Sequence, residues 1–219
     1  MVVLLDALGT LVELQPPAPR LRARLAESGF EVSEERAAAG FAAEIQYYLA
    51  HHLEGADRAA LDDLRDRCAA VMMDALDLDG LDHPTARRAM LVALEFRPYG
   101  DVVPALTALR GDGHRLVIVS NWDCSLPEWL GPPGLLALVD GVVTSADVGA
   151  AKPDARIFRR GLELAGAQAH DAVHVGDSVA NDVEGARALG MRAMLLQRAG
   201  APPAGVESIR TLRELRGLL

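Results

Sequence analysis

Five polar residues follow short apolar runs closely enough to share one site: Asp6 after VVLL, Ser120 closing RLVIVS, Lys152 in the loop AKPD, Asp177 after AVHVG, and Asp182 five residues further on. Carboxylates, a hydroxyl and an ammonium are the groups that attack an electrophile, steady a developing anion and hold a cation. Each also has an ordinary local explanation. Asp and Ser are favoured at turns and helix caps, Asp182 could cap the helix that follows it, and a lysine is commonly a solvated surface charge. Their chemistry depends on convergence. Lys152 carries extra weight because it is the only lysine among 22 Lys plus Arg residues. A site that needs a compact ammonium, and not a planar guanidinium fork, would use lysine in a chain otherwise built with arginine.

The elements that must position them can be read from hydrophobic pattern. VVLL, RLVIV, GVVT and AVHVG end abruptly in polar residues or glycine, as buried parallel strands do, and RAMLL at Arg192 to Leu196 has the same character without a catalytic candidate at its end. Between the later runs, Val103, Leu106 and Leu109, then Ile157, Phe158, Leu162 and Ala165, then Val183, Ala186 and Leu189 recur at helical spacing. This alternation predicts an α/β fold with a doubly wound parallel sheet, whose active crevice lies beyond the carboxyl ends of its strands. Residues 15-97 break the pattern and read as about four helices. Positions such as Ala37, Phe41, Ile45 and Tyr48, or Leu61, Leu64, Cys68 and Val71, are helically spaced, and Gly29, Gly55, Gly80 and Pro84 punctuate them. The expected organisation is a core of residues 1-14 and 98-219 with an all-helical cap of 15-97, and QPPAP and FRPYG as hinges where Pro and Gly stop regular structure.

The segments DALGT at 6-10, VIVSN at 117-121, AKPDARIF at 151-158 and GDSVAND at 176-182 resemble, in order and separation, the four motifs of the haloacid dehalogenase-like hydrolases. The resemblance covers essentially the whole chain and extends to the subclass with a helical cap inserted after the first motif. SNWD and HVGDSVANDVEGARALGM look most like the branch known as haloacid dehalogenase-like hydrolase domain-containing proteins. It implies a Rossmann-like core and a covalent mechanism in which Asp6 is the nucleophile. Thr10 and Ser120 would orient Asp6 and bind the transferred group, Lys152 would pair with Asp6 and with substrate charge, and Ser120, Asn121 and Lys152 would contact substrate. Three carboxylates in one crevice exceed what one lysine neutralises, so a cation is implied, and oxygen ligands suit Mg²⁺. By the same resemblance Asp6, the backbone carbonyl of Leu8 and Asp177 would ligate it, with Asp182 supporting, through water if at all.

One position departs from the pattern. Family phosphatases carry an aspartate two residues after the nucleophile as general acid and base, and here Leu8 stands there. Loss of such a group costs roughly 10²–10⁴ in rate. The expectation is therefore a Mg²⁺-dependent phosphatase or phosphohydrolase that is slow, takes its proton from Asp123, His51 or His52, or uses a good leaving group. A 2-haloacid dehalogenase, whose halide leaves without a proton, is the alternative. A protein of the same fold that binds or regulates with little catalysis is the third. A phosphonatase needs a cap lysine, and the cap has none.

Composition narrows the partners. A formal charge of -9 without a basic run argues against nucleic acid. No stretch approaches the roughly 20 apolar residues of a membrane span, and the opening MVVLL lacks the basic leader of a secretory signal, so the expected setting is cytoplasmic. Cys68 and Cys124 have no metal-site or disulfide spacing. The expected partner is a small molecule, a phosphorylated metabolite, and the oligomeric state is left open. Glu44, Tyr47, Tyr48, His51 and His52 are the cap residues from which substrate selection could be drawn.

Overall fold

A computed structural model describes all 219 residues. The chain divides into two compact units, one of Met1–Glu13 with Pro98–Leu219 and one of Leu14–Arg97. The first crossing falls one residue earlier than expected, since Leu14 belongs to the second unit.

In the first unit, β1 (Val2–Leu5), β4 (Arg115–Ser120), β5 (Gly141–Thr144), β6 (Ala172–Gly176), β7 (Arg192–Leu196) and β8 (Ser208–Ile209) form one sheet in the order β5-β4-β1-β6-β7-β8. All neighbouring pairs are parallel. Because β1 is central, it is buried on both faces and reads as an unbroken apolar run. The crossovers include α5 (Val102–Gly111), α6 (Leu126–Leu130), α7 (Ser145–Val148) and α8 (Ala155–Ala165). One side of the core is packed by Leu4, Val117, Val119, Ile157, Phe158 and Leu162, with Gly161 where α8 comes closest to the sheet. A Cβ on Gly161 would lie 2.7 Å from Val119 Cγ2.

After β6 the chain makes a π turn over Val179–Glu184 and then a short helix, α9 (Gly185–Arg187), where the apolar spacing predicts one regular helix. The Ser178 carbonyl accepts from both Asp182 N and Val183 N, so the turn is widened where it carries Asp182. Single π turns of this kind recur at functional sites.

The second unit holds α1 (Pro17–Glu27), α2 (Glu34–His51), α3 (Arg58–Leu76) and α4 (His83–Ala93). Leu21, Leu25, Phe41, Leu64, Met72, Leu76 and Met90 fill its own core. QPPAP does not stop regular structure as predicted. Helix α1 begins inside it, because proline in a first helical turn gives up an N–H that has no partner there anyway. FRPYG supplies β3 (Phe96–Pro98), which pairs with β2 (Val12–Leu14) in a two-stranded ribbon at the two points where the chain passes between units. No helix is long and apolar enough to cross a membrane.

Candidate active site

Leu5, the last residue of β1, is in register with Ile118 on one side and Val175 on the other, so Asp6 emerges at the carboxyl edge between β4 and β6. Its N–H donates to the Val175 carbonyl at 2.9 Å, continuing the sheet one step. The carboxylate is buried, 5 % exposed. Ser120, closing β4, donates its hydroxyl to Asp6 Oδ1 at 3.0 Å, and Lys152 Nζ donates to the same oxygen at 2.5 Å. Both donors converge on Oδ1, which leaves Oδ2 as the oxygen with a lone pair to offer.

Lys152 arrives on the loop before α8, and its backbone is clamped by Asn121. Lys152 N donates to Asn121 Oδ1 at 2.6 Å, and Asn121 Nδ2 donates to the Lys152 carbonyl at 3.1 Å. The Asn121 amide, expected to meet substrate, is spent on holding the lysine loop. Lys152 Nζ also donates to Asp182 Oδ1 at 2.6 Å.

Asp182 is 1 % exposed, and protein donors engage both of its oxygens. Oδ1 faces Lys152 Nζ and, at 2.9 Å, His174 Nε2, while Oδ2 accepts from Ser178 N at 2.9 Å. Ser178 Oγ in turn accepts from Asn181 N, so Asp182 also helps to close the start of the turn. Lys152 and His174 hold Asp182 well below the usual carboxylate range, against a burial effect that by itself pushes upward. Lys152 is buried, which favours its neutral form, yet the charges of Asp6 and Asp182 keep it protonated and raise it above an ordinary lysine.

Asp177 follows β6 and is open to solvent on its outer side, while protein atoms crowd its inner side. That desolvation, then the charges of Asp6 and Asp182, push its carboxyl up to about 6. Gly9 makes the approach possible. Its φ is +81°, and a Cβ there would fall 2.1 Å from Asp177 Oδ2, so any side chain would meet both strain and collision. Burial and the Asp182 charge likewise push Asp6 upward, opposed by Lys152. One ammonium therefore leaves the carboxylates under-neutralised. Asp6, Asp177 and Asp182 each present a ligand atom within 4.8 Å of the others, which fits a divalent cation with oxygen ligands. Asp182, with both oxygens already engaged, is the member of that group least free to ligate directly.

These motifs lie within a match to the family model for haloacid dehalogenase-like hydrolases over residues 1–190. The chain belongs to the haloacid dehalogenase-like hydrolases. It is 43 % identical over 98 residues to mouse haloacid dehalogenase-like hydrolase domain-containing protein 3, a stretch covering 45 % of this chain and 38 % of that protein. To Phosphatase MT3486 of Mycobacterium tuberculosis it is 36 % identical over 138 residues, 60 % of this chain and 62 % of the other. The chain thus spans less than two thirds of the length of these relatives. A solved HAD phosphatase from Thermococcus onnurineus superposes with a TM-score of 0.66 at 30 % identity, covering 99 % of this chain and 96 % of that one.

Set beside the motifs of these hydrolases, three positions need comment. Leu8 is 42 % exposed and brings no acid to the loop after Asp6. Thr10, expected to orient Asp6, is fully buried with its hydroxyl unpaired. Asp123 is buried and accepts from Ser125 N at 2.7 Å, a turn-forming bond within its own loop. In the helical unit, Tyr47 stacks on His51 with ring centroids 4.2 Å apart and accepts from Arg67 at 2.8 Å, while His51 meets Glu54 at 2.7 Å. Glu44 is buried at 5 % exposure, which pushes it up to about 7 against the Cys68 thiol.

Two participants lie outside the sequence reading. Arg198, just beyond β7, donates to the Thr10 carbonyl at 2.7 Å, pairs with Asp101 at 3.0 Å and lies 3.7 Å over the Tyr99 ring, bracing the loop after Asp6. His174 is a wholly buried histidine inside the apolar strand AVHVG. Its signal was present, since a buried polar residue in such a strand requires a partner.

Proposed function

We propose that this chain is a Mg²⁺-dependent phosphohydrolase of small phosphorylated metabolites that works through an aspartyl-phosphate at Asp6. The observation that carries this reading is the single lysine bridging Asp6 and Asp182, with Asp177 in the same 4.8 Å carboxylate group. Ser120 and Lys152 fix Oδ1 of Asp6, so Oδ2 attacks phosphorus, forming an O–P bond as the bond from phosphorus to the leaving oxygen breaks. Water then attacks phosphorus, regenerating the Asp6 carboxylate and releasing inorganic phosphate. Lys152 and the Ser120 hydroxyl meet negative charge on the transferred group. Asp6, Asp177 and the Leu8 carbonyl would hold Mg²⁺, with Asp182 behind them, and the bound ion supplies charge neutralisation for the carboxylates and the phosphoryl oxygens.

With Leu8 at the usual position of the general acid, no carboxyl there protonates the leaving oxygen. The favoured substrates are therefore those whose leaving group departs as a stable anion, such as acyl or aryl phosphates, with alkyl phosphates slower.

Leu8 also favours a second reading, displacement of halide from a 2-haloacid. Asp177 weighs against it, because an additional carboxylate beside Asp6 without a cation would burden the nucleophile with like charge. A panel of phosphate esters and 2-haloacids, assayed with Mg²⁺ and with chelator and using Asp6→Asn as the blank, tests the choice. Phosphate release that needs Mg²⁺ and Asp6 is expected. Halide release indifferent to chelator would establish the second reading, and no turnover of either class would favour a binding or regulatory role.

A further inference from the structure

His174 takes no part in the steps above, yet it sits directly behind them. It is the middle residue of β6, fully buried, in a T-shaped contact with Phe158 at a centroid distance of 5.0 Å and an interplanar angle of 89°. Its Nε2 lies 2.9 Å from Asp182 Oδ1, the oxygen that also receives Lys152 Nζ, and its Nδ1 has no partner. The arrangement selects a tautomer. A ring carrying its proton on Nε2 donates to Asp182, whereas protonation on Nδ1 alone would bury an unpaired N–H and turn two lone pairs towards each other. Without His174 the donors left to Asp182 would be Ser178 N on Oδ2 and the Lys152 ammonium itself on Oδ1, so nothing on Oδ1 would fix the carboxylate independently of the lysine it holds.

We propose that His174 is a positioning residue: its Nε2–H locks Asp182, and the locked carboxylate places the Lys152 ammonium on Asp6. This rests on the reading of Asp6 and Lys152 as working groups, and it assigns a role to a residue outside the four motifs. The chain is suited to the test because Lys152 is its only lysine, so lysine labelled at Nζ reports one site.

In wild-type protein with labelled histidine, two-bond proton–nitrogen correlations should show the His174 ring carrying a proton on Nε2, its signal recognised by its loss in His174→Gln. The Nδ1–H tautomer would overturn the proposal. In labelled-lysine spectra the Lys152 ammonium should be protected from exchange in wild type and in His174→Gln, whose amide nitrogen is as many bonds from Cβ as Nε2. It should broaden into exchange in His174→Leu. A Leu variant with the wild-type lysine signal would overturn the proposal, because a histidine that merely fills space would shift the melting temperature and leave that signal alone. Turnover gives the third readout: kcat should fall roughly tenfold or more in His174→Leu with little change in KM, and return most of the way in His174→Gln. Equal losses in both variants would count against it. If the Leu variant does not fold, the tautomer still decides. Both spectra are read without substrate, so their failure is distinguishable from failure of the phosphohydrolase reading, which Asp6→Asn tests on its own.

Discussion

The two oxygens of Asp6 are not equivalent. Oδ1 receives Ser120 and Lys152, and Oδ2 receives neither, so on the proposed function the attack would come from Oδ2 alone. On that proposal, what would limit it is the neighbour two positions on. Leu8 is exposed and apolar where a carboxyl would return a proton to the leaving oxygen. Replacing it tests this directly: Leu8→Asp should raise Mg²⁺-dependent hydrolysis of an alkyl phosphate about 10²-fold, towards the ordinary contribution of a general acid, while changing an aryl phosphate far less. An equal gain on both substrates would mean that leaving-group protonation is not the step Leu8 limits. At this scale the residues legible in the sequence were those ending apolar runs, because a polar group at a strand terminus stands out from its surroundings. Arg198 was not, since nothing local reveals that an arginine past β7 reaches the Thr10 carbonyl, and a histidine within apolar β6 shows that it needs a partner without showing that the partner is Asp182. Those are contacts made across the fold.

Among the elements, the turn after β6 is the most constrained. Gly176 ends the strand directly beneath Asp182, and a Cβ there would come within 2.2 Å of Asp182 Cγ. Gly176→Ala should destabilise the protein by about 1–3 kcal/mol in urea unfolding, the usual cost of forcing atoms into a packed site, and should displace the Lys152 ammonium as well. Short apolar runs predicted β1, β4, β5, β6 and β7 but not β2, β3 or β8, and they could not foresee a π turn, which differs from a regular helix by one carbonyl accepting two N–H groups. Nor did it place the start of α1, where prolines read as a break serve as the first turn. In the helical unit, α2 carries Glu44 into the interior with its carboxyl raised to about 7. A carboxyl whose pKa is raised on folding adds stability at low pH, and that stability is lost as pH climbs from the unfolded value near 4.5 through about 7. Glu44→Gln should therefore raise the melting temperature at pH 8 relative to wild type, by up to ~3 kcal/mol in unfolding free energy, and confer little of that gain at pH 4. A gain independent of pH would point to packing and not charge.

For the molecule as a whole, the discontinuous α/β unit and the inserted helical unit follow from the order of the chain: β1 and β2 come first, four helices next, and the rest of the sheet after. That order was visible in the sequence because strand and helix periods differ. The relation of substrate to the helical unit was not, because periodicity reports which face of a helix is buried and not what covers it. The carboxylate cluster links the site to global stability. Saturating Mg²⁺, about 100 times its dissociation constant, should raise the melting temperature by ~5–10 °C, and Asp177→Asn should remove most of that rise. An undiminished rise in the variant would place the ion elsewhere. The central claim is that Asp6 becomes covalently phosphorylated. Rapid-quench mass spectrometry of protein caught in its first turnover of an acyl phosphate should find one phosphoryl group on the tryptic peptide Met1–Arg20, absent from Asp6→Asn and released by hydroxylamine. Phosphate release at full rate with that peptide unmodified would contradict the account.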